Sequence, residues 1–373
     1  MCKLSGKTFV IIILVSILFS CDDGYTLLKS GDELKPTSYV YTDTYRLVSV
    51  PVPVGGITFP IGYDDSDTAS VEKKYLIGDS EVTVGLWYTI ANWATYEKEG
   101  EKYSNIYVTK HKYYEPKAMK YSINDVGFIQ ILIWCNAYTE WHNYSYGTNL
   151  TPVYTDKSGK PLRTAMTPLN PNFAGVYPNK FLEIYFDYIN THEGIEDYLK
   201  TKTTAGNGFR LPTHHEWELA ARWNGTDSIN TVTSTINGTN FAVQTIKFTK
   251  GNSASGAKDS VSNLYEMHKY GYFRENSNLN LTVQLPKRKL PNVLGLYDMS
   301  GNVAEYVYNV EYINLQGVID MPFAMAKGGS YLFVFVDPPL ENVESLAIGR
   351  YILTDAAGAY NYSYGFRTAR DDE

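Results

Sequence analysis

The chain has 373 residues, is 44% hydrophobic and carries a formal net charge of −7 at pH 7. This length and hydrophobic content predict a globular chain with one large core, or two domains at most. The balance is mildly acidic and lacks a stripe of Lys and Arg that would neutralise phosphates, which argues against nucleic acid as a partner.

Tyrosine is abundant, with 33 residues. Tyrosine gives rigid, amphipathic contact area at low entropic cost, as in binding surfaces, although it also fits an ordinary sheet-rich core. Composition alone leaves both interpretations open.

The first twenty residues have the pattern of a targeting segment. Lys3 and Lys7 precede an apolar run over residues 8–19, which is too short to span a bilayer comfortably. Residues 18–21, Leu-Phe-Ser-Cys, resemble a bacterial lipobox. The resemblance implies a signal peptide over residues 1–20, cleavage before Cys21, and a lipid on that sulfur. The alternative is an ordinary secretory peptide with a chance cysteine.

A lipid on Cys21 would anchor the folded part to the membrane outside the cytoplasm, in the bacterial cell envelope. Residues 21–45 are polar with scattered turn formers and are typical of a tether. Of the three cysteines, Cys2 leaves with the signal peptide and Cys21 carries the lipid, so Cys135 is the single thiol of the mature chain. No intramolecular disulfide is possible without Cys21.

Regular elements are predicted from residue 46 onward. Residues 46–59 alternate and are rich in β-branched side chains, which predicts a strand with a turn or bulge at Gly55 and Gly56. Residues 75–81 predict a second strand. Thr83 can cap a helix that runs to about Tyr96, because the apolar residues that follow fall at helical spacing.

A second helix is predicted after Ser122, with Asp125 completing a variant capping box. Cys135 lies inside this helix. A small buried hydrophobe describes Cys135 better than a catalytic thiol, because no histidine or other base neighbours it in sequence.

Residues 208–222 contain a further helix start, where Thr213 and Glu216 form a capping box. His214 and His215 are adjacent and so point about 100° apart on a helix, which does not suit metal ligation. They are predicted to be exposed first-turn residues. Residues 224–262 are rich in Thr, Ser, Asn and Gly, which predicts loops with short strands such as residues 241–248. The basic run from Lys287 to Lys289 predicts a solvated loop.

The most constrained stretch is residues 292–306. It combines turn formers such as Gly295 and Gly301 with two acids, Asp298 and Glu305, seven residues apart. Glycines permit positive backbone angles and carboxylates are hard oxygen ligands, so this stretch could fold round a calcium ion.

Five motifs in this order resemble the formylglycine-generating enzyme family, also called the sulfatase-modifying-factor domain. They are residues 81–83, 208–222, 295–306, 328–330 and 365–367. The resemblance implies an α+β, C-type-lectin-like fold that is low in regular structure, with its N- and C-terminal strands brought together. It also implies a single domain, which we place at residues 46–371.

The resemblance assigns a structural calcium site to the constrained stretch. Asp298 and Glu305 would supply side chains, Gly301 and Val303 would supply carbonyls, and waters could complete the shell. The alternative is a metal-free turn in which the two acids cap backbone amides.

Copper-dependent members of the family carry two cysteines after the Gly-Gly-Ser motif, because soft thiolates hold Cu(I). The corresponding positions here are about Phe333 and Pro338, and the six histidines show no spacing for an iron cluster. Copper and oxidation of a substrate cysteine are therefore not expected. The alternative function is an oxidoreductase of the formylglycine-generating type with unusual catalytic residues.

Ligand binding is predicted instead, through residues 331–364. This segment resembles in its placement the variable region of lectin-fold proteins that are diversified by retroelements, some of them lipoproteins. The implied partner is an extracellular protein or glycan. Residues 332–336 could equally be a buried strand. The candidate ligand-binding residues are Phe333, Phe335, Asp337, Tyr351, Asp355, Tyr360 and Tyr362.

Overall fold

The computed structural model describes residues 45–62, 64–97, 103, 118–155, 159–163, 206–236, 239–251, 253–258, 264–277, 282–315, 319–332, 350–356 and 363–372. The helices are α1 (Val84–Asn92), α2 (Phe128–Tyr146), α3 (His214–Arg222) and α4 (Leu264–Met267), with a π-helical turn at Trp93–Glu97 and a 3-10 turn at Ala118–Lys120. The strands are β1 (Leu47–Val50), β2 (Ile57–Ile61), β3 (Asp67–Val71), β4 (Tyr75–Gly78), β5 (Trp223–Ile236), β6 (Thr239–Phe248), β7 (Ala304–Leu315), β8 (Ile319–Lys327), β9 (Arg350–Ala356), β10 (Tyr364–Gly365) and β11 (Ala369–Asp371). The signal peptide, the tether and Cys21 lie outside these residues.

One small sheet joins the two ends of the domain. Its strand order is β1-β4-β11, and both outer strands pair antiparallel with β4. Ile77 in β4 is opposite Val48 on one side and Ala369 on the other, and Ile77 and Ala369 are fully buried. The expectation that the N- and C-terminal strands meet is therefore confirmed.

A four-stranded sheet of order β10-β7-β8-β9 contains the end of the constrained stretch, in β7, and Gly365 of the C-terminal motif, in β10. The short strand β10 pairs parallel with the start of β7, whereas β8 pairs antiparallel with β7 and with β9. Strands β2 and β3 form a separate hairpin-like pair, after a turn in which Gly55 and Gly56 take φ of 93° and 85°. A side chain disfavours such angles, so the glycines suit this predicted turn.

The core between α1 and α2 is built from aromatic rings. Trp87 and Trp134 stack with centroids 5.5 Å apart, and Phe366 meets both edge-on at 5.8 and 5.3 Å. Offset stacks and edge-to-face contacts are the favoured arrangements of aromatic quadrupoles. A residue of the C-terminal motif is thereby packed against both N-terminal helices.

The helix starts agree with prediction at two sites and differ at one. Thr83 caps α1 by accepting from Leu86 N at 3.2 Å, and Thr213 and Glu216 form the capping box of α3. The predicted cap of α2 at Ser122 and Asp125 is wrong. The helix begins at Phe128, and its N-terminal backbone is satisfied by Gln130, whose side chain accepts from Gly127 N at 3.1 Å.

The strand predicted at residues 241–248 is confirmed as part of β6. Loops were predicted for the residues before it, whereas β5 forms there and pairs antiparallel with β6. The many Thr residues of this stretch are compatible with strand. Within the residues that the structure describes, no helix is long and apolar enough to cross a membrane.

A buried charged network fixes α3 against the end of β8. Glu218 accepts from Lys327 Nζ and from Arg222 Nε, the latter at 2.9 Å. Arg222 also reaches Asp65 at 2.5 Å. Burial favours the neutral acid, but the charges of Lys327 and Arg222 hold the pKa of Glu218 below its ordinary value.

Candidate functional site

The constrained stretch begins with a turn organised by Asn292. Its side-chain oxygen accepts from Leu294 N and Leu296 N at 3.0 and 3.1 Å, and its amide donates to Ala220 O at 2.9 Å. An Asn that bonds its own backbone a few residues on stabilises a turn locally. The last contact ties this turn to α3.

Glu305, at the start of β7, is engaged by two donors. Arg367 donates from Nε to Oε2 and from Nη2 to Oε1, both at 2.5 Å, and Trp217 Nε1 donates to Oε2 at 2.7 Å. All three side chains are fully or almost fully buried. The guanidinium therefore neutralises this carboxylate inside the core.

Glu81 is a second buried acid, and it holds the turn before β7. Its Oε2 accepts from Ser122 Oγ and from Asn302 Nδ2, the latter at 2.6 Å, and its Oε1 accepts from Val303 N at 3.0 Å. Burial raises the pKa of Glu81 well above its ordinary value, and the nearby charges of Asp298 and Glu305 raise it further. Ser122 thus serves this network rather than a helix cap.

Asp298 is the third buried acid and differs from the other two. Its Oδ2 accepts from Lys287 N at 2.6 Å, whereas its Oδ1 is buried without a hydrogen-bond partner. Burial raises the pKa of Asp298 to about 6. Its φ of 54° is unusual for a residue with a side chain. A buried acceptor without a partner is costly, so this atom is where a proton or a cation would be stabilised.

The predicted calcium ligands fit an ion unequally. Asp298 offers an unpartnered oxygen to a cation, and Gly301 and Val303 follow it three and five positions later in the chain. Glu305 does not fit, because Arg367 and Trp217 already engage both of its oxygens. Among the described residues, no group of three or more His, Cys, Asp or Glu side chains forms a metal cluster.

The turn at residues 301–304 also fixes both ends of the predicted binding segment. Tyr331 N donates to Asn302 O at 2.8 Å, and Ala304 N donates to Ser363 O at 2.9 Å. All four residues are buried. Tyr331 and Ser363, near the two ends of the predicted segment, are therefore both held on one short turn, and β9 (Arg350–Ala356) of the same segment pairs with β8.

The predicted ligand-binding residues are placed only in part. Tyr351 and Asp355 lie in β9, where Tyr351 is opposite Ala326 of β8. Phe333, Phe335, Asp337, Tyr360 and Tyr362 lie outside the described residues, as does Pro338. Leu332, which was one end of the alternative buried strand, lies in a turn and is 40% exposed.

Cys135 is buried in α2, and burial raises the pKa of its thiol far above the ordinary value. The predicted character of a buried hydrophobe is confirmed. His214 and His215 are half-buried rather than exposed, with ring centroids 3.8 Å apart.

Sequence reasoning missed the roles of Glu81, Arg367 and Lys287. The expectation of a solvated loop at residues 287–289 is wrong for Lys287, whose Nζ pairs with Asp79 at 2.8 Å while its N–H serves Asp298. Glu81 and Arg367 were visible as motif residues. Their pairing with residues more than sixty positions away carries no local signal.

A comparison with protein-family models agrees with the family that the motifs indicate. The chain matches the sulfatase-modifying factor enzyme 1-like domain over residues 68–372. The chain belongs to this family. Its fold is the α+β, C-type-lectin-like fold of the family, in a single domain.

Two solved structures of the sulfatase-modifying-factor type are similar in fold. Variable protein 1 of Treponema denticola matches with a TM-score of 0.52 and 22% identity, over 88% of this chain and 95% of that one. CarF matches with a TM-score of 0.51 and 20% identity, over 88% of this chain and 98% of that one. A comparison with curated protein sequences finds no match.

Proposed function

We propose that this chain is a lipid-anchored, non-catalytic ligand-binding protein that uses the sulfatase-modifying-factor scaffold to present residues 331–364. The observation that carries the proposal is the attachment of both ends of this segment to the turn at residues 301–304. The partner we propose is an extracellular protein or glycan, and the anchor is a lipid on Cys21.

The anchoring turn supports the proposal because part of its bonding comes from side chains outside the segment. Glu81 and Asn302 are joined side chain to side chain, and Glu305 is joined to Arg367. Segments that connect secondary-structure elements tolerate more sequence change than the elements they connect. One similar protein bears the name variable protein, and we extend such variation to residues 331–364 as part of this proposal.

The state of Cys135 and the residues at the two copper positions support a non-catalytic function. A thiolate, not a thiol, binds Cu(I), and the raised pKa of the buried Cys135 keeps it protonated at neutral pH. Phe333 and Pro338 cannot ligate copper. The alternative function, oxidation of a substrate cysteine, would need a different donor set.

Two measurements on the purified chain distinguish these functions. Oxygen consumption is followed with a Cys-containing peptide and Cu(I), and Cu(I) is titrated against the parent and Cys135→Ser. We expect no turnover and equal, weak Cu(I) uptake by both proteins. Turnover, or tight binding that Cys135→Ser abolishes, would overturn the non-catalytic proposal.

We also propose a structural calcium ion at Asp298, with the carbonyls of Gly301 and Val303 as further ligands. The buried, unpartnered Oδ1 supports this assignment, since calcium binds oxygen ligands. Such an ion would stabilise the turn that anchors the binding segment. Glu305 is not part of this ligand set.

A further inference from the structure

Exposed apolar side chains are concentrated on one surface. Eight large hydrophobic side chains are notably exposed among the described residues, and four of them come from two short segments. They are Leu264 and Tyr265 in α4, 40% and 77% exposed, and Leu290 and Val293 near the constrained stretch, 50% and 59% exposed. Contiguous exposed apolar surface marks an interaction site more often than scattered single residues do.

Direct contacts join the two segments. Leu290 N donates to Lys269 O at 2.8 Å, and Lys269 Nζ lies 4.8 Å from the centre of the Tyr265 ring. Gly256 lies between the segments, because a Cβ placed there would meet both the Tyr270 ring and Asn292 Cα. The two segments that carry the four exposed apolar side chains are therefore adjacent in the fold.

Basic side chains are interspersed with these apolar ones. Lys258 and Arg288 are exposed and Lys269 is partly exposed. Lys289 is half-buried, and its Nζ donates to His268 O at 2.6 Å and lies 4.3 Å from the centre of the Tyr272 ring. Among the described residues of this region, Glu266 contacts Lys269 at 2.6 Å and also interacts with Lys258. Arg274 and Glu275, exposed and of opposite charge, are adjacent in the chain. We call Lys258, Leu264, Tyr265, Lys269, Arg288, Lys289, Leu290 and Val293 the basic apolar face.

This face is positive on a chain whose net charge is −7. We propose that the basic apolar face docks on an anionic phospholipid membrane. Tyrosine is amphipathic and suits the headgroup region, while Lys and Arg stems cover apolar surface and extend their charges to phosphates. Juxtamembrane basic residues are attracted to anionic lipids, and apolar tips add burial at the interface.

A membrane explains the face better than an acidic protein partner does. The exposed apolar side chains lie close to cations, as Lys269 over the Tyr265 ring shows, and a fluid anionic interface accepts this combination without shape complementarity, whereas a protein interface requires a packed apolar centre. The proposal does not rest on ligand binding by residues 331–364. It would orient the domain, whether or not Cys21 carries a lipid.

Vesicle co-sedimentation of the full chain with Cys21→Ser tests the proposal. Phosphatidylcholine vesicles are compared with vesicles containing phosphatidylglycerol, at low and at high salt. We expect salt-sensitive binding that requires phosphatidylglycerol. Since each basic residue near an anionic surface contributes a factor of roughly five, Lys258→Gln with Arg288→Gln should weaken it at least about tenfold.

A second variant and a matched control keep the test specific. Leu290→Ser with Val293→Ser should also weaken binding to the anionic vesicles, because it removes the apolar tips. Lys73→Gln with Lys74→Gln makes the same charge change at exposed positions between β3 and β4 and should retain parental binding. Equal loss in this control, or no preference of the parent for phosphatidylglycerol, would overturn the proposal. The second outcome would point instead to an acidic protein partner.

Discussion

Arg367 and Glu305 form a bidentate ion pair inside the core, with two nitrogen-to-oxygen distances of 2.5 Å. Arg367 also donates to Gly78 O at 3.0 Å and to Tyr297 O at 2.9 Å. The guanidinium thus joins the strand β4, the constrained stretch and the C-terminal motif. Glu305, one of the predicted calcium ligands, has both of its oxygens engaged by Arg367.

Removing one partner of this pair should be strongly destabilising. Arg367→Met leaves Glu305 buried without its counter-charge, which costs about 3–5 kcal/mol of unfolding free energy. Glu305→Gln should cost a similar amount, and the double variant should cost about 0.5–3 kcal/mol less than the sum of the two. Urea unfolding of the three variants measures these values. Strictly additive losses would show that the pair is not coupled.

The turn at residues 301–304 should tolerate no side chain at its glycine. Gly301 has φ of 79°, and a Cβ there would lie 2.3 Å from Tyr272 O. Gly295 has a similar φ of 83° but nothing within 4 Å of the added Cβ. Gly295→Ala should therefore cost about 1–2 kcal/mol for the backbone angle alone. Gly301→Ala should cost clearly more in the same urea titration, and equal costs would contradict the close approach.

Much of the scaffold was predictable because its signals are local. The caps at Thr83 and Thr213, the turn at Gly55 and the burial of Cys135 each follow from spacing or residue type within a few positions. The resemblance to the family motifs predicted that the N- and C-terminal strands meet. The start of α2 was missed because Ser122 and Asp125 mimic a capping box, while Ser122 is used by the distant Glu81.

The contacts of the buried acids were less predictable, because the residues that pair with them are far away in sequence. Glu305 is a good calcium ligand by residue type, and only the fold shows that Arg367 engages it. The lack of a hydrogen-bond partner for Asp298 Oδ1 likewise results from packing, since the same carboxylate in an exposed turn would be hydrated.

Asp298 should make stability depend on pH. The pKa of its carboxyl is about 6 in the folded chain against an ordinary value of 3.8, so the folded state keeps a proton that the unfolded state has lost between these values. Stability contributed by Asp298 is therefore full below about pH 4 and is lost as pH rises through 6. At pH 7 the ionised, buried carboxylate costs about 3 kcal/mol.

Asp298→Asn tests this dependence. In calcium-free buffer the variant should be more stable than the parent at pH 7, and the difference should vanish near pH 4. Asp64→Asn is the control, since the pKa of Asp64 is lowered by its hydrogen bonds to Ser66 and it should not reproduce the effect. A parent and an Asp298→Asn variant with parallel pH profiles would rule out the raised pKa.

Calcium should act through the same carboxylate. Added calcium should raise the Tm of the chelator-treated parent at pH 7.5 and raise it less at pH 5, where the ion competes with a proton. Asp298→Asn should reduce the shift at pH 7.5. Equal shifts in the variant and the parent, or no shift in the parent, would show that Asp298 does not hold calcium.

We propose that residues 331–364 bind a ligand while the rest of the domain acts as scaffold. The most direct measurement is binding of the labelled full chain to an array of extracellular glycans and peptides, beside a variant with Tyr351, Asp355, Tyr360 and Tyr362 changed to Ala. We predict that the parent binds a defined set of ligands and that the variant loses this binding while its Tm stays close to that of the parent. Undiminished binding by the variant would show that these side chains do not bind the ligand, and no binding by the parent would overturn the proposed ligand-binding function.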